Sequence, residues 1–194
     1  MQKPITRQLS LSIIALALLS QLTACVPVIV GGVAAGGAMA ADRRTSGIYI
    51  EDEGIEQKAE RAIQAEIGPK IHANVTSYNR NVLVTGEAVD EQSRTRAVEI
   101  VTKTANVKTV TNELVIGTPT ALSSWTNDAY ITSKIKARFV AANQFPANHV
   151  KIVTENGNVY LMGIVTRAEG NLAADLASQS GGVTNVVKVF EYLD

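Results

Sequence analysis

A six-residue pattern that occurs twice constrains the fold of this chain more than any other feature. NVLVTG at 81–86 returns as NVYLMG at 158–163, an offset of 77 residues. Both copies alternate a core-sized apolar residue with a variable one and end at glycine, which is typical of a short, half-buried strand. An internal repeat of this kind indicates that most of the chain is one small domain used twice.

The same order of elements is predicted around each copy. The first copy should contain a helix over 54–67, strands over 73–77 and 81–85, a helix capped by Asp90 or Ser93, and a strand over 107–116. The second should contain a helix capped by Thr126 or Asn127, a hairpin turn at Asn156-Gly157, a helix with a Thr166–Glu169 capping box, and a strand over 183–192. The fold class is therefore α+β, with each domain reading α-β-β-α-β.

The predicted boundaries divide the chain into five segments. They are a signal peptide (1–24), a tether (25–51), a first domain (52–117), a linker (118–125) and a second domain (126–194). Each domain has about 65 residues, a size at which a lone hydrophobic core is marginal. We therefore expect the two domains to pack against each other.

The start of the chain has the form of a secretory signal peptide. Lys3 and Arg7 precede an apolar run from Leu9 to Leu22, which is shorter than the roughly 20 residues of a spanning helix. The following LTAC, ending at Cys25, resembles the bacterial lipobox. That resemblance implies that Cys25 is acylated and becomes the mature N-terminus. Val26 after it favours sorting to the outer membrane, on its periplasmic face.

Charge and cysteine content exclude several functional classes. The 18 basic and 18 acidic residues balance, so the chain has no overall field that would attract nucleic acid. Residues 51–117 carry a net charge of −3, whereas residues 126–194 are neutral. A single cysteine permits neither an intrachain disulfide nor a thiolate metal cluster.

No pattern in the sequence indicates catalysis or a cofactor. His72 and His149 occupy equivalent positions, and no cluster of acidic residues accompanies either in the sequence, so surface histidines are favoured over metal ligands. The chain has no nucleophile elbow, phosphate loop or dinucleotide fingerprint. The acidic run Glu51–Glu53 is interpreted as stabilising a helix N-terminus. We expect a protein that is not an enzyme and binds no metal.

Together these motifs resemble the BON domain. The resemblance rests on the helix, the repeated strand motif, the second helix and a final strand with Val107, Val110, Asn112 and Leu114. The second copy keeps Val183, Val186 and Phe190 but has Lys188 in place of the asparagine. TENGNVYLMGIVT at 154–166 makes the match specific.

Two such domains behind a lipobox are similar to the dual-BON outer-membrane lipoproteins, close to the division- and outer-membrane-stress-associated lipid-binding family. This resemblance implies two helices packed on a three-stranded mixed sheet in each domain. It also implies a non-enzymatic role in outer-membrane integrity and recruitment to division sites. Anionic phospholipid would bind through the first helix of the second domain.

The sequence of that helix suits a bilayer surface. A helical projection places Ile131, Ile135 and Phe139 inward, and an apolar strip bordered by basic residues outward. The predicted phospholipid-binding residues are Tyr130, Lys134, Ala137, Arg138, Val140, Ala141 and Trp125. Trp125 could equally supply an interfacial ring or fill the junction between the domains.

Two alternatives remain open from the residues alone. The helix could present an ordinary solvated face with an exposed tyrosine. The protein could also be an interaction adaptor for an envelope assembly machine or a cell-wall enzyme activator. Its docking face would then be the acidic first domain, whose Glu56, Glu60 and Glu66 make the first helix net −1.

Overall fold

The computed structural model describes residues 42–118 and 123–194, with side chains of the second part from residue 126 onward. The predictions for the signal peptide, for Cys25 and for the tether up to residue 41 lie outside these residues. So do those for the side chain of Trp125 and for the middle of the linker. All described residues belong to one compact unit.

The predicted order of elements is confirmed in both domains. The first domain comprises α1 (Ser46–Glu66), β1 (Ile71–Tyr78), β2 (Asn81–Ala88), α2 (Glu91–Lys103) and β3 (Thr109–Ile116). The second comprises α3 (Ser123–Ala142), β4 (Val150–Glu155), β5 (Asn158–Val165), α4 (Arg167–Ser178) and β6 (Asn185–Tyr192). A single 3-10 turn precedes β1 and β4.

Each domain has a three-stranded mixed sheet, as predicted. The repeated motif forms the middle strand, which pairs antiparallel with the preceding strand and parallel with the last one. One face of each sheet is covered by the two helices of the same domain. Ile55, Ala59 and Ile63 of α1 are buried in the first core, and Ile131, Ile135 and Phe139 of α3 are buried in the second.

The glycine that ends each motif is required by a close approach of two strands. A Cβ atom at Gly86 would lie 2.0 Å from the carbonyl oxygen of His72, and one at Gly163 would lie 2.3 Å from that of His149. Gly86 also has a φ of +117°, which favours glycine. The repeat therefore preserves a backbone contact at the same place in both domains.

The middle strands are buried on both faces, so the prediction of half-buried strands was wrong. Val82 and Val84 face the helices, whereas Leu83 faces the other domain. In the second domain, Tyr160 and Met162 face the first. Leu83, Tyr160 and Met162 stand at positions that differ between the two motifs and form a buried cluster between the sheets, which confirms that the two domains pack together.

Two helices begin earlier than predicted. Helix α1 starts at Ser46, where the Thr45 hydroxyl accepts from the backbone N–H of Ile48, instead of at residue 54. Gly54 lies inside the helix, and no contact there requires a glycine, since nothing lies within 4 Å of where its Cβ would be. Helix α3 starts at Ser123, so neither Thr126 nor Asn127 is its cap.

The other predicted helix starts are confirmed. The Asp90 carboxylate accepts from the backbone N–H of Ser93, and Thr166 and Glu169 form a complete capping box. The hairpin turn at Asn156-Gly157 has positive φ at both residues, as its sequence predicts.

Candidate membrane-facing helix

A buried aspartate fixes the rotation of helix α3. The two carboxylate oxygens of Asp128 accept from the backbone N–H groups of Asn156 and Gly157, at 2.8 and 2.9 Å. These N–H groups belong to the hairpin turn, so the first part of α3 is held against the β4–β5 hairpin. The rotation of the helix, and therefore the face that it exposes, follows from this contact.

Helix α1 uses the same device. Asp52 is buried and accepts from the backbone N–H groups of Asn79 and Arg80, at 2.9 and 2.8 Å. The interpretation of Glu51–Glu53 as a charged helix N-terminus was wrong, since α1 begins at Ser46 and Asp52 lies in its second turn. Asp52 instead caps the hairpin of the first domain.

The inward and outward sides of α3 are those that the helical projection predicts. Ile131, Ile135 and Phe139 are at most 1% exposed. Tyr130 and Val140 are 65% and 67% exposed, and Ala137 and Ala141 are also exposed. An apolar strip with one aromatic ring therefore faces solvent.

Three basic residues border this strip, and they differ in their surroundings. Lys134 is half-buried, with its Nζ 5.7 Å from the centre of the Tyr130 ring. Arg138 is also half-buried, and its Nη1 donates to the backbone oxygen of Leu176 at 3.5 Å. Lys136 is exposed and, with Val140, lines a cleft of about 510 Å³.

Lys136 borders the strip in the helical projection but is not among the predicted phospholipid-binding residues. In the structure it is the most accessible cation of the three. The first turns of α1 were also missed. Tyr49 and Ile50 are exposed there, and Tyr49 lines the same cleft as Lys136. The signal was the apolar segment Ile48–Ile50, which the late prediction of the helix start assigned to the tether.

Within the described residues, the cations of α3 have no acidic partner. Among the residues that the structure describes, no carboxylate oxygen lies within 4.0 Å of a side-chain nitrogen of Lys134, Lys136 or Arg138. Asp128, the acidic residue of this helix, is buried against the hairpin. The positive charge of the exposed side is therefore available to an external anion.

The acidic residues of α1 are used within the protein instead. Glu56 accepts from the backbone N–H of Ser77 at 2.7 Å and from Lys151 of the second domain at 2.9 Å. Glu60 accepts from the backbone N–H of Val75 at 3.4 Å, and Glu66 pairs with Arg96. These contacts leave less free acidic surface for the adaptor alternative than the sequence suggests.

The segment before α1 is fastened to both domains, a contact that was not predicted from the sequence. Arg44 pairs with Asp52 at 2.8 Å and lies over the ring of Tyr78, 4.0 Å from its centre. Arg43 pairs with Glu169 at 2.8 Å. The hydrogen bonds from Arg43 lower the pKa of Glu169 to about 2. The tether therefore enters the folded unit where the two domains meet.

The two equivalent histidines have different surroundings. His72 lies opposite Glu87 in the β1–β2 pair, with its Nδ1 3.1 Å from the carboxylate, and Glu155 of the second domain lies beside them. His149 lies 4.0 Å from Glu169. The acidic neighbours of His72 could not be found from the sequence, because Glu155 is brought there only by the packing of the two domains.

No helix in the described ranges is both long enough and apolar enough to cross a membrane.

The BON domain family model matches the chain twice, at residues 51–118 and 127–194. The chain is 35% identical over 175 residues to the outer membrane lipoprotein DolP of Haemophilus influenzae. This alignment covers 89% of the present chain and 91% of the relative.

Two further relatives are more distant. The chain is 30% identical over 154 residues to the 21 kDa hemolysin of Actinobacillus pleuropneumoniae, covering 78% of this chain and 79% of the relative. It is 26% identical over 144 residues to the osmotically-inducible protein Y of Escherichia coli, covering 72% of each. The repeated fold, the matches to both domains and the lipoprotein relative agree with one another. The chain belongs to the BON-domain family, as an outer-membrane lipoprotein with two BON domains.

Proposed function

We propose that helix α3 binds the surface of a bilayer that contains anionic phospholipid, while acylated Cys25 holds the protein at the outer membrane. The protein supports the integrity of that membrane and catalyses no reaction. One observation carries the proposal. Tyr130 and Val140 are about two-thirds exposed on the same helix as three cations that have no carboxylate partner in the described part of the chain.

The apolar strip accounts for contact with the bilayer interface. Tyrosine is suited to the level of the lipid headgroups because its ring is apolar and its hydroxyl is polar. Val140, Ala137 and Ala141 add an apolar surface without charge on the same side. A helix with this arrangement lies along the interface with its apolar side toward the acyl chains.

The cations account for a preference for anionic lipid. A lysine or arginine near an anionic surface contributes about 1 kcal/mol, so the three residues contribute about 3 kcal/mol together. Such binding is weak for a protein free in solution. It is sufficient here because the lipid anchor keeps the helix close to the membrane and raises its effective concentration there.

Recruitment to division sites forms the second part of the proposal, and it is supported by the resemblance to the dual-BON lipoproteins. If recruitment depends on lipid binding, a fluorescent fusion with a disabled α3 surface should stay at the outer membrane but lose its enrichment at the septum. If septal enrichment persists, recruitment does not depend on lipid binding by α3 and must use another surface of the protein.

Vesicle binding tests the first part. The chain lacking residues 1–25 keeps all the residues of the described hydrophobic cores, which lie between Ile55 and Tyr192. It should sediment with vesicles of phosphatidylethanolamine and phosphatidylglycerol, and much less with vesicles of phosphatidylcholine. Tyr130→Asp combined with Lys134→Glu should abolish the binding while leaving the circular dichroism spectrum unchanged.

A matched control is available in the first domain. The offset of 76 residues that relates Asp52 to Asp128 also relates Lys58 to Lys134, and Lys58 is exposed on α1. Lys58→Glu changes the net charge of the protein by the same amount as Lys134→Glu, and should leave vesicle binding nearly intact. Equal losses with both variants would mean that net charge, and not α3, governs binding.

A further inference from the structure

Three side chains capable of binding a metal meet where the two domains join. His72 and Glu87 are opposite each other on β1 and β2 of the first domain, and Glu155 ends β4 of the second. One nitrogen or oxygen from each residue lies within 4.8 Å of those of the other two. Within the described ranges, this is the group that offers three such ligands.

Both carboxylates are buried, which is costly for charged groups so close together. The side chain of Glu87 is 4% exposed, and Glu155 is 8% exposed. A cation held between the two carboxylates would offset this repulsion.

The second domain shows that the fold itself does not need these charges. By the offset of 77 residues, Glu87 corresponds to Ile164, which packs in the interface between the domains. An apolar residue therefore fills the same position on the equivalent strand. Glu87 is a departure from the repeat at a buried site, and it lies next to a histidine and a second buried carboxylate.

We propose that His72, Glu87 and Glu155 bind a divalent transition-metal ion, zinc by preference, which joins the two domains. One imidazole nitrogen and two carboxylate oxygens form a ligand set that suits zinc, with water as the fourth ligand. Calcium prefers six to eight oxygen ligands and would gain little from His72. Glu155 lies near Asp128 on the inward side of α3, whereas the exposed strip of that helix is on its other side, so the site does not depend on lipid binding.

Neighbouring amides hold the two carboxylates in place. The side-chain nitrogen of Asn156 donates to Glu87 at 2.7 Å, and that of Asn74 donates to Glu155 at 2.8 Å. Thr85 also donates to Glu155, at 3.3 Å. Hydrogen bonds of this kind orient metal ligands and are a regular part of metal sites. Asn156 of the second domain orients Glu87 of the first, and Asn74 of the first domain orients Glu155 of the second. Binding of the ion would therefore depend on how the two domains pack together.

Zinc titration tests the proposal on the chain lacking residues 1–25, because the thiolate of an unmodified Cys25 would itself bind zinc. Competition with a chromophoric chelator should show one zinc ion per chain, and zinc should raise the melting temperature. Glu155→Gln and His72→Gln should each weaken binding at least tenfold. His149→Gln removes the equivalent histidine of the second domain and should leave zinc affinity unchanged.

A second measurement distinguishes loss of the site from loss of the fold. Without zinc, Glu155→Gln should melt at or above the temperature of the parent chain, because it removes a buried charge next to another. It should also no longer respond to zinc. The proposal is overturned if Glu155→Gln and His72→Gln keep the parent affinity, if His149→Gln loses as much as they do, or if calcium stabilises the chain as strongly as zinc.

Discussion

Arg43 donates to both carboxylate oxygens of Glu169, at 2.8 and 2.9 Å, and so fastens the segment before the first domain to the second domain. The same guanidinium also donates to the backbone oxygen of Ile164 at 2.8 Å. Glu169 belongs to the capping box of α4, which holds it in place for this contact. The chain that leads to the lipid anchor therefore leaves from a fixed point on the folded unit.

We predict that Arg43→Gln weakens the protein and changes its response to acid. The Arg43 contact holds the pKa of Glu169 at about 2, below its ordinary value of 4.5. A depressed pKa contributes stability above pH 4.5 that is lost as the pH falls toward 2. Arg43→Gln should lower the free energy of unfolding at pH 7 by about 1 kcal/mol and flatten its decline between pH 4.5 and 2.

Urea unfolding at pH 7 and pH 3 measures both effects. Arg61→Gln provides a control, because Arg61 is exposed on α1 and contacts only the Gln57 side chain at 3.4 Å among the hydrogen bonds of the described residues. It should behave as the parent chain does at both pH values. An unchanged acid profile in Arg43→Gln would show that the contact with Glu169 does not form in solution.

We predict that Asp128→Ala destabilises the second domain strongly. The substitution removes the acceptor of two backbone N–H groups in the β4–β5 turn, which then lose their partners at a buried site. The expected cost is about 3 kcal/mol, measured by chemical unfolding. Asp128→Asn keeps one acceptor oxygen and should recover part of the loss. If both variants match the parent chain, the contact does not set the rotation of α3.

We predict that alanine destabilises the protein at Gly163, where the strands approach closely, and stabilises it at Gly54, which has open space around it. Gly163→Ala would place a Cβ atom 2.3 Å from a backbone oxygen, and should cost several kcal/mol, because backbone must move. Gly54 lies inside α1 with nothing within 4 Å, so Gly54→Ala should stabilise by up to about 1 kcal/mol. Thermal unfolding of both variants checks this, and destabilisation by Gly54→Ala would contradict the assigned start of α1.

We predict that Lys136 contributes to membrane binding, although it is not among the phospholipid-binding residues predicted from the sequence. Lys136→Gln should weaken binding to anionic vesicles by about 1 kcal/mol, or about fivefold, because it removes one exposed cation. Lys58→Gln is the control on α1. The difference between the two should shrink in high salt. A Lys136→Gln variant that binds as the parent does would confine the surface to Lys134 and Arg138.

Local signals predicted most of the fold correctly. The Asn156-Gly157 turn and the Thr166–Glu169 capping box depend on residues close together in the sequence, and both occur in the structure. The start of α1 was missed because Gly54 and the acidic residues before it resemble a helix N-terminus. In the structure, Asp52 has a partner 27 residues away in the hairpin turn.

The surroundings of the functional residues were less predictable. A helical projection identifies the exposed side of α3, since that depends only on which residues fill the core. It does not show that Lys134 and Arg138 lean against neighbouring structure while Lys136 is exposed. The contact of Arg43 with Glu169 and the proximity of His72 to Glu155 depend on how the two domains pack against each other. No local pattern contains that information.

The sheet faces that meet through Tyr78, Leu83, Tyr160 and Met162 also bear on how such a protein could arise. A single domain of this kind would expose a patch of aromatic and aliphatic side chains to solvent. It would therefore tend to associate with a second copy of itself. Joining two copies in one polypeptide makes that association permanent and independent of concentration. It also frees the sequences to diverge, so that a single copy could acquire an affinity for lipid without upsetting its twin.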